Sequence, residues 1–463
     1  MKRIKYMVAV LCIASTATAQ NSLSSYYNEG FLYRHEINPA VGNDQNYVSM
    51  PALGNINIGL NSNMKVKDIL YNRNGRTVLF MNPSVDPGEF LDKVKNKHRI
   101  TESSRIQILG AGFKAWGGYN TFELNARENV SANIPGDLYR LAKGGIENQI
   151  YNLSDLNAHA DAYAELAFGH SRQLNEKWRV GAKVKFLFGI ANIDANVNNA
   201  QVQLLNNNYI AVSDASIQSS LNDVQYKMEE KMRGPDGDQH LHRYVSGVDK
   251  TKWGVCGFGM AFDFGAEYKI NENWKVSMAF LDLGWISYSK NFVASTNGEQ
   301  RVETDSHIFN LSDAEGVKNS FDDEIDRLGE DIASLYELQD KGDQGSRSKA
   351  IGATWTWGAE YTAHFYDKLK FGFLNTTRMA GKYSWTDFRF SANVAPVKVL
   401  SITANLAFTT FGTSFGWLIN VHPNGFNFFI GMDHTLGKLA KQGLPLSGRS
   451  QISLGINFPF GGN

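Results

Sequence analysis

Cysteine is nearly missing from this chain. Its 463 residues hold two, Cys12 and Cys256, and Cys12 sits in an N-terminal stretch with the features of a leader. The one thiol beyond that stretch cannot form an intramolecular disulfide, so a small disulfide-stapled secreted module is excluded. A lone thiol of this kind reads as buried apolar filler before it reads as a nucleophile. Long apolar runs are missing as well: beyond the leader nothing reaches the roughly 18 consecutive residues that a membrane-crossing helix needs. Neither sign of charge prevails, with Lys+Arg and Asp+Glu both at 46. No global field recruits nucleic acid, and no basic tail is present. A mean hydropathy of −0.32 fits a soluble protein. It fits a membrane β-barrel equally, because there only alternate residues face lipid.

What is present begins with "MKRIKYMVAVLCIASTATAQ". Lys2, Arg3 and Lys5 precede a short apolar run over 7–14, and Ala17-Thr18-Ala19 has the small-x-small form of a cleavage site. Residues 1–19 are therefore expected to be a signal peptide, with Gln20 as the first mature residue. Leu11 ahead of Cys12 fits a lipoprotein site poorly, so no lipid anchor is expected.

The rest is dominated by period two. From Trp178 the set Trp178, Val180, Ala182, Val184, Phe186, Phe188 and Ile190 alternates with Arg179, Gly181, Lys183, Lys185, Leu187 and Gly189. Alternation puts the two sets on opposite faces of a strand, one oily and one carrying three cations. "GFGMAFDFGAEY" repeats the pattern with Phe258, Met260, Phe262, Phe264, Ala266 and Tyr268. So do the runs 400–408, 426–432 and 452–460. All but the seven-residue 426–432 have about the 9–11 residues with which a tilted strand crosses a bilayer. Short turns are expected near 116–119, 173–176, 270–273, 365–367, 395–397 and 422–424. Long connections are expected over 64–101, 129–157, 191–253, 291–350 and 435–449. Counted from Asn55, the two kinds alternate, which sorts loop length by side as in an outer-membrane barrel. A soluble sandwich has no reason to do so. The expected fold is all-β: a transmembrane antiparallel β-barrel of about fourteen strands, an N-terminal plug-like segment, and long extracellular loops with short helices. The expected division is signal peptide 1–19, plug-like segment 20–53 and barrel 54–463. Residues 209–220 are read as part of a hairpin in a long loop. The alternation changes phase near "LDLG" at 281–284, which predicts a bulge or a rim position.

Three stretches carry a resemblance: "EGFLYRHEINPAVGNDQNYVSMPALGNINIGLNSN", with its Asn38-Pro39-Ala40; "SANIPGDLYRLAKGG"; and "AYAELAFGHSRQLNEKWRVGAKVKFLFGIAN". Together they resemble an uncharacterised outer-membrane family of Bacteroidota, a domain of unknown function, over nearly all of the mature chain. More distantly, the Asn-Pro-Ala motif and the strand count resemble FadL-type barrels and the shuttle barrel of the type IX secretion system. The FadL likeness implies import of hydrophobic molecules and an N-terminal segment lodged in the lumen.

Other motifs carry less. "GAGFKAWGG" contains G-x-G-x-x-A, yet the Trp116–Asn120 stretch breaks the helix that dinucleotide binding needs. In "DQHLHRY" Asp238, His240 and His242 are all potential metal ligands, but the two imidazoles share a face only if the loop is extended, and a solvated loop is the favoured reading. "FDDEIDRLGEDIASLYEL", 321–338, has the spacing of an amphipathic helix with an acidic outer face. It reads as a rim helix, or as a lid or docking element. "GDLYRLAKGG" predicts a second helix. No nucleophile–base pair can be read from the sequence, and catalysis, a cofactor and a bound metal are not expected.

Alternation points Arg105, Glu165, Arg179, Lys183, Lys185, Asp263, Glu267, Glu360 and Arg389 into the lumen. Inward charges of both signs pair with one another, because single charges away from water are costly. They are also the candidate ligand-binding positions. The expected function is a channel or carrier for small hydrophobic molecules in the cell outer membrane, in contact with its lipid. The alternative is a non-transporting scaffold or secretion accessory that binds a protein partner through its outer loops.

Overall fold

The computed structural model describes residues 22–144, 149–205, 208–233, 240–296, 298–305, 337–435 and 448–461. Its wall is a closed antiparallel barrel of 14 strands. β1 is made of two pieces, Asn46–Ser49 and Ile56–Ser62. The others are β2 Lys97–Ala115, β3 Gly118–Pro135, β4 Asn157–Gln173, β5 Trp178–Leu205, β6 Gly257–Lys269 and β7 Trp274–Tyr288. β8 is Ala353–Thr362, β9 Leu369–Met379, β10 Trp385–Val397 and β11 Leu400–Thr409. The wall ends with β12 Gly412–Val421, β13 Asn427–Met432 and β14 Arg449–Phe460. β14 pairs with both pieces of β1, Phe460 opposite Asn46 and Leu454 opposite Ile56, so no edge is left open to lipid.

The connections at one end are short: 116–117, 174–177, 270–273, 363–368, 398–399 and 422–426. Trp116 and Gly117 both take positive φ, 53° and 71°, the two-residue turn whose twist suits a hairpin. The other end carries the long excursions, although 380–384 and 410–411 are tight there too. The helix expected in "GDLYRLAKGG" is Gly136–Gly144. β5 runs for 28 residues, far past its neighbours, and its distal part forms a hairpin with Asn208–Ser220, which therefore lies outside the wall as expected. Beside it the 64–96 excursion has its own small core, where Phe80 stacks on Phe90 at 4.2 Å.

Two details depart from simple alternation. The wall begins at Asn46, ahead of the expected boundary at Gly54. In Asn46–Ser49 the inward Tyr47 and Ser49 are sealed while Val48 is 47% exposed, a strand too short and polar to show as one. Pro51, Ala52 and Leu53 then bulge outward before pairing resumes at Ile56. In β7 the register slips opposite Asp263, so that Leu281 and Asp282 both face inward and Asp282 takes a φ of 58°. This is the bulge that the phase change near 281–284 implied.

Outside, Phe186, Phe264, Met278, Trp357, Phe390 and Phe408 are exposed on the lipid face. At the short-turn end Trp178 packs on Tyr268 and Trp274 on Tyr361, at 4.7 and 4.9 Å. Four neighbouring strands thus share one aromatic belt, the interfacial girdle of a membrane barrel. Asp238 and the acidic helix expected at 321–338 fall mainly or wholly outside the described residues. His240 and His242 lie on the outer strand His240–Lys252. Gly110–Gly118 is strand and turn with no helix after it.

Candidate functional site

The lumen is filled from the N-terminus. Residues 22–45 run inside the wall, most of them buried. Leu23 and Ser24 donate their backbone N–H groups to the two carboxylate oxygens of Asp433, both at 2.7 Å. Tyr27 Oη donates to the Phe373 carbonyl at 2.7 Å, Asn28 Nδ2 to Thr403 Oγ1 at 3.0 Å, and Tyr33 Oη to Gln107 Oε1 at 2.7 Å.

The Asn38-Pro39-Ala40 motif is the tightest fit. Asn38 Oδ1 accepts from the Ala40 N–H at 2.9 Å, and Asn38 Nδ2 donates to Tyr26 Oη and to the Ala266 carbonyl on β6. The wall makes room for it with missing side chains. A Cβ on Gly181 would meet the Pro39 carbonyl oxygen at 2.0 Å, and one on Gly265 would meet Asn38 Oδ1 at 2.0 Å. Gly358 and Gly372 clear the space of Tyr27 in the same way.

Above the motif lies a largely buried charge network spread over six consecutive strands. Arg105 on β2 reaches Glu36 of the N-terminal segment at 3.2 Å, Glu123 on β3 at 2.6 Å and Glu165 on β4 at 3.6 Å. Lys183 on β5 pairs with Glu123 at 2.7 Å. Arg127 on β3 bridges Glu165 at 2.8 Å and Asp282 at 3.0 Å. Lys185 on β5 holds Asp263 at 2.7 Å and Asp282 at 2.6 Å. Charges so deep persist only when each is paired and hydrogen-bonded. His35 joins through Nδ1, which lies 3.1 Å from both Lys183 Nζ and Glu123 Oε1, and through Nε2, 3.0 Å from Tyr47 Oη. Burial pushes the Glu36 carboxyl up to about 7 against the pull of Arg105. Burial first, and then the Lys183 ammonium, push the His35 ring down to about 4.

Of the nine inward charges expected from alternation, Arg105, Glu165, Lys183, Lys185 and Asp263 come together here. Arg389 forms a second cluster with Asp387 at 2.8 Å and Asp433 at 3.4 Å. Glu360 lies in a third with Lys275 at 3.2 Å, and with Lys370, which also pairs with Glu29. Arg179 and Glu267 sit side by side near the short turns, half-buried and outside all three clusters. Glu123 and Arg127 were legible in "FELNARE", where Phe122, Leu124 and Ala126 alternate with them, but were not singled out. Asp282 could not be found by parity, because the bulge reverses it.

On the long-loop side of the segment the wall encloses a cavity of about 470 Å³. Leu23 and Ile37 of the segment line it, with Arg105, Arg127 and Asp282 of the network. Leu281, Ile351, Met379 and Trp385 give it an apolar side, while His159, Asp161 and Asp194 give it a charged one. His159 bridges those carboxylates, with Nδ1 2.7 Å from Asp194 and Nε2 2.9 Å from Asp161. Tyr383 stacks on the ring of His159.

No curated protein matches the sequence. Among solved structures, the TodX deltaS2S3 mutant monoaromatic hydrocarbon channel is similar at 10% identity and TM-score 0.44, covering 96% of each chain. The Ralstonia pickettii toluene transporter TbuX is similar at 8% identity and TM-score 0.39, over 97% of this chain and 96% of that one. The translocator domain of the autotransporter NalP from Neisseria meningitidis is similar at 5% identity and TM-score 0.31, over 91% and 89%. A family model covers residues 39–433, most of the barrel together with Pro39 and Ala40 of the motif seated on Gly181, and the chain belongs to that family, the family of unknown function DUF5723.

Proposed function

We propose that this barrel lies in the outer membrane and receives small, largely apolar molecules in the cavity above its N-terminal segment, as a channel or carrier that the segment plugs. The observation that carries this reading is the cavity itself. At about 470 Å³ it falls in the size range of small-molecule sites, concave and partly apolar with a few placed polar groups. Onward passage requires the segment to leave the wall, since the space below is taken by Tyr26, Ile37 and Pro39. The candidate ligand contacts are Arg105 and Arg127 at the floor and Leu281, Ile351 and Trp385 at the side. Arg179, Glu267, Glu360 and Arg389 are assigned to holding the segment and the wall.

The test is mass spectrometry of small molecules extracted from the detergent-purified barrel, against empty-vector membranes. A hydrophobic compound enriched with the wild type and lost from Thr354→Trp, which fills the cavity, is the expected result. Bulk membrane lipid alone in both samples overturns it. The packed structures on the long-loop side, the Phe80–Phe90 core and the β5 hairpin, favour a second reading as a scaffold for an external protein partner. Recovery of a stoichiometric partner from gently solubilised membranes supports that reading, and a clean single component opposes it.

A further inference from the structure

The turn between β9 and β10 does more than join two strands. Gly381–Tyr383 is a single 3-10 turn, and the residues around it bond among themselves. Ser384 Oγ accepts from the Ala380 N–H at 3.0 Å and donates to the Gly381 carbonyl at 2.8 Å, while the Tyr383 N–H donates to the Ala380 carbonyl at 3.1 Å. Gly381 takes a φ of 58°, a conformation that suits glycine. Residues 380–384 therefore form a compact unit hung from the wall at Met379 and Trp385.

The outside partners of this unit lie across the lumen. In a closed ring of 14 strands, β10 stands opposite β3. Asn133 Nδ2 on β3 donates to the Lys382 carbonyl at 3.4 Å, and Arg99 Nη1 on β2 donates to the Ser384 carbonyl at 3.2 Å. Lys382 Nζ donates to Asn196 Oδ1 on β5 at 3.3 Å. The Tyr383 ring stacks on His159 of β4, with centroids 5.8 Å apart. The turn is thus a strap laid across the long-loop end of the lumen, and Gly381, Tyr383 and Trp385 line the cavity beneath it.

The far anchor is firm and the strap's hold on it is light. Both nitrogens of His159 are engaged, one by Asp194 and one by Asp161, so the ring cannot turn without losing both, whichever group carries the protons. Asp194 is fixed in turn by Lys349 at 2.9 Å and by Arg347. The strap meets this anchor through one ring face and through hydrogen bonds of 3.2–3.4 Å, with no carboxylate among them. The N-terminal segment below is held differently, by both oxygens of Asp433 at 2.7 Å and by the ion pair of Glu36 with Arg105. Charge-assisted bonds are the stronger kind. Of the two closures, the strap is the one that releases first.

We propose that residues 380–384 are the outer gate of the cavity, with Tyr383 on His159 as its latch. When the latch opens, the strap swings about Met379 and Trp385 and admits a molecule from the long-loop side while the N-terminal segment stays seated. The inference rests on the reading of the cavity as a ligand site.

The experiment reads access to the cavity without a ligand. Thr354→Cys, on the cavity lining, is placed in a Cys256→Ala background and labelled in detergent with a bulky maleimide at fixed pH. Rates are normalised to the unfolded protein, and heat-modified mobility on gels confirms that each barrel is folded. Tyr383→Ala is expected to raise the labelling rate roughly tenfold, the order of what a stacked aromatic pair holds. Tyr383→Phe keeps the ring and should leave the rate unchanged. His159→Ala leaves the bulk of Tyr383 in place but removes its seat, and should raise the rate as Tyr383→Ala does. An unchanged rate in Tyr383→Ala overturns the gate. A rise in Tyr383→Ala without one in His159→Ala overturns the latch, because Tyr383 then only fills space. Mass spectrometry of small molecules extracted from the same proteins reports on occupancy separately. Faster labelling with no compound enriched in any of them sinks the ligand reading and keeps the gate. A compound enriched with the wild type, together with unchanged labelling in Tyr383→Ala, sinks the gate alone.

Discussion

At the scale of single residues, the lumen is built as much by what is missing as by what is there. Glycine on a barrel strand relieves crowding, and at Gly181 and Gly265 the structure shows whose: that of Pro39 and Asn38. Val at position 181 would drive its Cβ into a backbone carbonyl that has no free rotamer to escape by. Gly181→Val is therefore expected to expel the segment while leaving the barrel folded, since the neighbouring outward positions are untouched. Limited proteolysis should then cut within 22–45 in the variant and spare the wild type. Equal protection would mean that the motif does not dock on β5. The same scale shows where sequence reading stops. Inward positions such as Lys183 and Lys185 follow from parity alone. Which carboxylate each one meets does not, because Asp282 comes from another strand and owes its orientation to one extra residue.

Elements were more legible than contacts. Strand placement rests on a period of two sustained over ten or more residues, and turn placement on Asn, Gly and Pro at the short-turn end, so the fourteen strands and their alternating connections were open to reading. β1 was the exception. Its first piece is four residues long and is followed by an outward bulge at Pro51–Leu53, so neither length nor pattern marked it, and the boundary of the preceding segment was set too late. That segment is polar and rich in turn residues, which excludes it from the wall but says nothing about where it lies. Its interior position comes from tertiary partners: Asp433, Thr403, Gln107 and Tyr47 belong to four separate parts of the chain. Removing residues 20–44, so that Gln45 follows the expected leader directly, is expected to raise single-channel conductance in planar bilayers at least several-fold over wild type. Unchanged conductance would show that another obstruction closes the lumen.

Across the whole molecule the interior divides into two chemistries. Strands β2 to β7 are joined by charges, whereas β11 to β14 are joined by amides and hydroxyls: Asn427 Nδ2 donates to Asn420 Oδ1 at 2.7 Å, and Asn457 Nδ2 donates to Asn427 Oδ1 at 3.3 Å. The division has an energetic consequence. A neutral amide removed from a chain leaves unpaired groups worth about 1–3 kcal/mol. A buried cation removed from between two carboxylates strands them, at about 3–5 kcal/mol. Arg127 is such a cation, holding Glu165 and Asp282 across three strands, and no other described side chain bridges that pair of carboxylates except Lys185, at a longer 4.0 Å to Glu165. Arg127→Ala should therefore destabilise the barrel by about 3–5 kcal/mol and Asn420→Ala by about 1–3 kcal/mol, read from equilibrium urea unfolding in lipid vesicles by tryptophan fluorescence. Arg127→Met, similar in length but uncharged, should fall with Arg127→Ala, because the loss is of charge and not of packing. Equal costs for the arginine and asparagine variants would mean that water from the cavity reaches the network and screens it.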